Sequence, residues 1–188
     1  MFESLIKKIT KSLSRLKIPY VIIGGQAVLL YGIPRLTKDI DITLGVDTDN
    51  IPLVKKLCGE LGLKILPKNA DEFAAKTMVL PAEDTRTGIR VDFIFSFSDY
   101  EKEAIRRAVK VKIEGYAVCF ASAEDLIIHK IFAGRAVDLE DVKNVVVRRG
   151  LKKINVGYIQ KWLKKLQPLD IKTNMVSLFK QVIKDAKR

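Results

Sequence analysis

A chain of 188 residues, with 34 Lys and Arg against 22 Asp and Glu and a formal net charge of +12, is long enough for one sizeable core or for a compact domain with a smaller helical extension, and too short for two large independent domains. Its 48% apolar share, without a low-complexity tract, excludes an intrinsically disordered chain. The basic excess runs along the whole sequence, with concentrations at 102–112, 148–153 and 161–188, so it favours polyanionic ligands as well as the plainer reading of a lysine-rich solvated surface.

Residues 3–16 place Leu5, Ile6, Ile9, Leu13 and Leu16 at helical spacing, and Pro19 ends the pattern. The N-terminus lacks the uninterrupted apolar core of a signal peptide and no later segment approaches a membrane span, so a cytoplasmic protein with no membrane partner is expected. "YVIIGG" reads as a buried strand stopped by Gly24 and Gly25, and "QAVLLYG" as a short helix closed by Gly32 and Pro34. "DIDITLG" alternates as a strand with one polar face does. A helix from about Asn50 to Leu61, a short strand near "LKIL", and two strand-like runs, "AKTMVLPA" and "GIRVDFIFS", joined by the turn-rich "EDTRTG", follow.

Residues 99–107 then read as a short charged helix, and "AVKVKIEGYAVCFA" as a hairpin broken at Glu114-Gly115. From Ser122 the strands stop. The remainder reads as helices: "SAEDLIIHKIFAG" with a capping-box-like Ser122 and Asp125, "DLEDVKNVVVRRG", a segment around Val156 to Leu166, and a basic last helix from about Thr173. The expected fold is α+β, a mixed β-sheet flanked by helices over residues 1–121, with a helical C-terminal lobe over 122–188.

The residue inventory narrows the chemistry. Cys58 and Cys119 lie far apart and form no Cys-x-x-Cys pair, so neither a zinc spacing nor a disulfide framework is present. His129 is the single histidine, which excludes a histidine-built metal centre and leaves catalysis to carboxylates, lysines and bound cations.

In a strand, Asp39 and Asp41 project to one face while Ile40 and Ile42 point to the other. Two carboxylates held that close repel, and a divalent cation between them is the least costly way to keep both ionised. Asp92 interrupts the apolar run "IRVDFIF" and needs a metal, an opening to solvent or a partner, of which Arg90 is the nearest. A helix starting after Gly24-Gly25 would aim backbone N–H groups outward, suited to a phosphate; the plain alternative is a tight turn.

The order Gly-Gly at a strand-to-helix turn, then "PRLTKDID", then a third Asp on a later strand resembles the nucleotidyltransferase superfamily typified by DNA polymerase β. The spelling Arg35, Thr37, Asp39, Asp41 is most similar to its small prokaryotic branch that includes the AbiEii/AbiGii-type toxins, although those often carry serine after the first glycine where this chain has Gly25 and Gln26. "EDLIIHKIFAGRAVDLEDV" is similar to a later motif of the branch, a helical lysine followed by an Arg-x-x-Asp-like segment.

The resemblance implies a nucleotidyltransferase-like fold, two Mg2+ ions, with Mn2+ as an alternative, on Asp39, Asp41 and Asp92, and a nucleoside triphosphate such as ATP held by Gly24, Gly25, Arg35, Thr37 and Lys130. It casts Asp138 as a base or as an orienter of Lys130, with Asp141 as a further acid. The structural alternatives are a solvated Lys130 and helix-terminal acids at Asp138 and Asp141. The distributed basic charge favours a hydroxyl of RNA, such as tRNA, as acceptor, and the resemblance to the toxin branch offers a toxin with an antitoxin partner as one form of that reading. A small hydroxylated compound as acceptor, and a non-catalytic nucleotide- or partner-binding module, are the other two readings.

Overall fold

The structure, a computed structural model, describes residues 1–96, 98–169 and 174–187. In chain order its elements are α1 (Phe2–Arg15), β1 (Tyr20–Ile22), α2 (Gly24–Tyr31), β2 (Asp39–Leu44), α3 (Ile51–Leu61), β3 (Leu63–Ile65), α4 (Ala70–Thr77) and β4 (Val79–Asp84). Next come β5 (Arg90–Phe95), α5 (Asp99–Arg106), β6 (Val109–Ile113), β7 (Tyr116–Phe120), α6 (Ala123–Ala133), α7 (Ala136–Arg149), α8 (Val156–Leu166) and α9 (Met175–Asp185). This is the mixed sheet and helix content expected from the periodicities. Two compact units result: Met1–Ile23 with Thr37–Phe120, and Gly24–Leu36 with Ala121–Arg188.

The first unit holds a seven-stranded sheet in the order β3-β4-β5-β2-β1-β7-β6. Near its centre β2 runs parallel to β5 and antiparallel to β1. Strand alternation explains the core face: Ile40, Ile42 and Leu44 are fully buried opposite the equally buried Val91, Phe93 and Phe95. Each such side chain contributes about 1.5–3 kcal/mol by leaving water. On α1, Ile6, Ile9 and Leu13 form the buried stripe and pack the helix against α3, β6 and β7.

Two local features follow from backbone chemistry. The run "AKTMVLPA" is not all strand, because its first three residues complete α4 and Met78, at φ +60, closes that helix before β4 begins. Asp71 and Glu72 in the first turn and Lys76 in the last match the helix dipole, a signal the strand reading passed over. The β6–β7 turn has Glu114 at φ 44 and Gly115 at φ 77, the two positive values of a type I′ hairpin.

The second unit is helical. In it α2 packs on α6 and α7, Tyr31 donates from its hydroxyl to the Ala121 carbonyl at 3.0 Å, and a Cβ on Gly32 would lie 3.1 Å from Val28 Cγ1. Ser122 Oγ accepts from the Asp125 N–H at 3.1 Å, capping α6 as the sequence pattern suggested. Ile159, Leu163 and Phe179 are fully buried where α6 to α9 meet. Thr173, the expected start of the last helix, lies outside the described residues, which pick the helix up at Met175 behind an Asn174 cap. Among the described residues no helix is long and apolar enough to cross a membrane.

Candidate active site

The parallel ladder sets Asp39 opposite Arg90 and Asp41 opposite Asp92. Alternate residues of a strand share a face, so Asp39, Asp41, Arg90 and Asp92 all project to the side away from Ile40 and Ile42. Thr43 continues that face one step deeper; it is 1% exposed, and its hydroxyl has no hydrogen-bond partner among the described residues. All three aspartates are half-buried. The N–H of Ile23 donates to the Asp41 carbonyl at 3.0 Å, tying the end of β1 to the middle of this row. Thr37 Oγ1 stands 3.4 Å from both the carbonyl and Oδ1 of Asp39.

Arg90 Nε donates to Asp92 Oδ1 at 2.8 Å. That hydrogen bond, more than offsetting the burial of the guanidinium, raises its pKa above the ordinary arginine value, and the charges of Asp92, Asp39 and Asp41 add to it. The Arg90 guanidinium thus faces three carboxylates, and these four side chains together carry a formal charge of −2 in a basic chain.

The donor set is oxygen only, which suits a hard cation such as Mg2+ and not a thiolate- or imidazole-seeking metal. As the side chains stand, no group of three or more His, Cys, Asp and Glu among the described residues closes around an ion. Arg90 engages Asp92 Oδ1, one of the oxygens that would be offered to an ion. Residue type and shared face therefore fit a hard divalent ion, with Arg90 displaced from Asp92.

The later motif forms a separate cluster in the helical unit. Lys130 is 5% exposed, and its ammonium lies 2.7 Å from Asp138 Oδ1 and 2.9 Å from Asp141 Oδ2. The solvated reading of Lys130 is thereby removed. Arg35 grips Asp141 in a fork, Nε to Oδ1 at 3.0 Å and the terminal nitrogen to Oδ2 at 3.0 Å. Arg135 reaches Asp138 at 2.5 Å. Burial alone would raise the Asp138 pKa, but hydrogen bonds from Arg135 and Lys130, with their charges, hold it below the ordinary carboxylate value. Asp138 holds the Lys130 ammonium from the first turn of α7.

Gly24 and Gly25 open α2 itself instead of preceding it, with Gly24 at φ +63, a conformation in which a Cβ is strained. The expected site residues thus fall into groups: Asp39, Asp41 and Asp92 with Thr37 in the sheet unit, and Arg35, Lys130, Asp138 and Asp141 in the helical unit. Sequence reasoning passed over Thr43, although it extends the Asp-x-Asp alternation by two, and over the Arg35–Asp141 fork, whose partners are 106 residues apart.

Comparison with known proteins adds the family context. Residues 1–165 match a family described as "nucleotidyltransferase of unknown function (DUF6036)". No curated protein matches the chain. Among solved structures it is similar to the solution structure of the antibiotic-resistance factor ANT(2'')-Ia, with a TM-score of 0.62 at 18% identity over 89% of this chain and 94% of that one. An antigenic nucleotidyltransferase-like protein from Paracoccidioides brasiliensis gives 0.55 at 20% identity, over 95% and 91%. The lincomycin-bound lincosamide antibiotic adenylyltransferase LnuA gives 0.51 at 17%, over 73% and 91%. At these identities the likeness is one of fold.

Proposed function

The chain belongs to this nucleotidyltransferase family, and from that premise we propose that it transfers a nucleoside monophosphate from a triphosphate such as ATP to a hydroxyl acceptor with Mg2+. The observation that carries this is the β2–β5 register, which puts Asp39, Asp41 and Asp92 on one face of two adjacent parallel strands. Bound there, Mg2+ would neutralise the triphosphate and lower the pKa of the attacking hydroxyl. Asp39 and Asp41 are the ion-holding pair. Asp92 completes the set and takes the proton of the hydroxyl as its oxygen bonds to the α-phosphorus and the bond to pyrophosphate breaks. Thr37 steadies Asp39.

Gly24, Gly25, Arg35 and Lys130 are assigned to the triphosphate by the resemblance, with Asp138 orienting Lys130. We favour RNA, such as tRNA, as acceptor, because the helical unit carries 16 Lys and Arg against 7 Asp and Glu, most of the positive excess of the chain. If the protein is a toxin, its expression should arrest growth and Asp39→Ala, Asp41→Ala should relieve the arrest. The second reading, a small hydroxylated acceptor, is supported by the fold likeness to the antibiotic-resistance factor ANT(2'')-Ia and to the lincosamide antibiotic adenylyltransferase LnuA.

Each labelled nucleoside triphosphate is incubated with the protein, Mg2+ and either total RNA or a panel of hydroxylated antibiotics, with Asp39→Ala, Asp41→Ala as control. Label on RNA in the wild type alone supports the RNA reading, and label on a small compound supports the second. Equal label in the control removes the metal assignment.

A further inference from the structure

On α8, Tyr158, Lys161, Trp162 and Lys165 stand at i, i+3, i+4 and i+7, a single stripe beside the buried stripe of Ile159, Leu163 and Leu166. Lys161 and Lys165 are exposed, and the two rings are half-exposed. Polar residues alone would serve an amphipathic helix on that side, yet it carries a half-exposed tryptophan flanked by Lys161 and Lys165, and a tyrosine one turn before it.

The aromatic pair is held in place from below. Asn155 Oδ1 accepts from the Tyr158 N–H at 2.9 Å, and the Tyr158 hydroxyl donates to Asp125 Oδ1 at 2.7 Å, on a carboxylate that is itself fully buried behind the Ser122 cap. Trp162 meets Tyr158 edge-on, with centroids 6.4 Å apart and planes at 65°. The Lys165 ammonium lies 4.9 Å from the Trp162 centroid, over the indole face. Exposed Lys164, Lys152 and Lys153 surround the stripe in sequence. The result is a pre-oriented indole with the Lys165 ammonium over its face and exposed Lys161 next to it in the stripe.

We propose that the Tyr158–Lys161–Trp162–Lys165 stripe is a docking face for an unpaired polynucleotide segment, one base stacking on Trp162 where Lys165 now lies and Lys161 and Lys165 turning to its phosphates. Stacking plus phosphate contacts recognises single strands whatever their sequence. Anionic vesicles and an acidic protein are the competing outcomes of the test, and quenching by anionic vesicles equal to that by the oligonucleotide would overturn the proposal. Binding is tested without nucleoside triphosphate or metal, so loss of this face and failure of the transfer reading are separate results.

Trp162 is the only tryptophan, so its fluorescence reports the stripe directly. Titration with a 12-residue oligouridylate and with the matching oligothymidylate should quench it, and a duplex of the same length should quench it less. Polyglutamate of equal charge should leave it unchanged. By anisotropy of a labelled oligonucleotide, Trp162→Ala should weaken binding about tenfold while Trp162→Phe stays near wild type. Lys161→Glu with Lys165→Glu should weaken it further and flatten the salt slope by at least about 1.4, roughly 0.7 for each lost phosphate contact. All variants are at surface positions and are checked by circular dichroism. Unchanged fluorescence at saturating oligonucleotide, equal quenching by polyglutamate, or wild-type affinity in the double-glutamate variant would each overturn the proposal.

Discussion

Asp41 and Asp92 are partners across the parallel ladder of β2 and β5, with their carboxylates on the same side of the sheet. Adjacent strands run about 4.8 Å apart, so the two anions are close neighbours. Like charges directly opposite each other destabilise a sheet by up to ~1 kcal/mol, a cost that a purely structural face has no reason to carry. Asp41→Asn should therefore leave the unfolding free energy unchanged or raise it by up to ~1 kcal/mol, while transfer falls by more than ~100-fold. Urea unfolding and label transfer, measured on the same preparation, check both halves. A variant that loses stability and activity together would make the pair structural.

Arg90 answers that repulsion from within the strand. Its guanidinium bridges to Asp92 at 2.8 Å, yet its side chain is 52% exposed, so the bridge is worth at most ~1 kcal/mol and gives way easily. A cation arriving at the face must compete with it. Arg90→Ala should cost less than ~1 kcal/mol without metal and should tighten binding of Mg2+ or luminescent Tb3+ several-fold. Tb3+ titration followed by Mg2+ displacement measures this apart from any activity. Equal Tb3+ affinity in the two proteins would show that Arg90 does not compete.

These two cases mark what the sequence makes legible. The alternation Asp39-Ile40-Asp41-Ile42 sets which side chains share a face, because the period of a strand is two and depends on nothing distant. The Arg90–Asp92 bridge was legible for the same reason, being i to i+2 on β5. What could not be read is which strands pair: β2 beside β5 is a property of the folded sheet, as is the fork between Arg35 and Asp141. The sequence also left Lys130 between a solvated and a functional reading, since its burial depends on α7 folding back beside α6. Tyr158 and Trp162 lie in a segment whose periodicity predicts a helix, and only the partner surfaces decide which side of it is wet.

His129 gives the protein a defined sensitivity to acid. Burial, with a smaller push from the Lys130 charge, lowers its pKa to about 4, so the folded state keeps it neutral where an unfolded chain protonates it near the ordinary 6.5. Between these values the unfolded state binds more protons, so stability rises with pH and is lost as pH falls from about 6.5 toward 4. The loss is on the order of 2–3 kcal/mol. Asp138 acts in a lower window, because its depressed pKa keeps its contribution until pH falls below the ordinary 3.8. Urea midpoints at pH 7, 5.5 and 4.5 should fall in turn for the wild type and stay flatter for His129→Gln. Parallel slopes would place the acid sensitivity elsewhere.

Lys130 is the residue whose mutation is easiest to misread. Its ammonium lies between two buried carboxylates, so Lys130→Met leaves Asp138 and Asp141 facing each other with Arg135 and Arg35 as their remaining cations. Removing one partner of a buried ion pair costs about 3–5 kcal/mol, and the two arginines should hold the loss near the lower end. A drop in transfer by this variant is therefore no measure of a phosphate contact until unfolding is subtracted. Asp138→Asn separates the roles: it keeps the shape and the Arg135 contact but releases Lys130 on one side, so a purely structural lysine predicts loss of stability alone. If Lys130 also meets the triphosphate, Asp138→Asn should in addition raise the KM for nucleotide under conditions where the protein stays fully folded by circular dichroism. An unchanged KM would assign the cluster to stability.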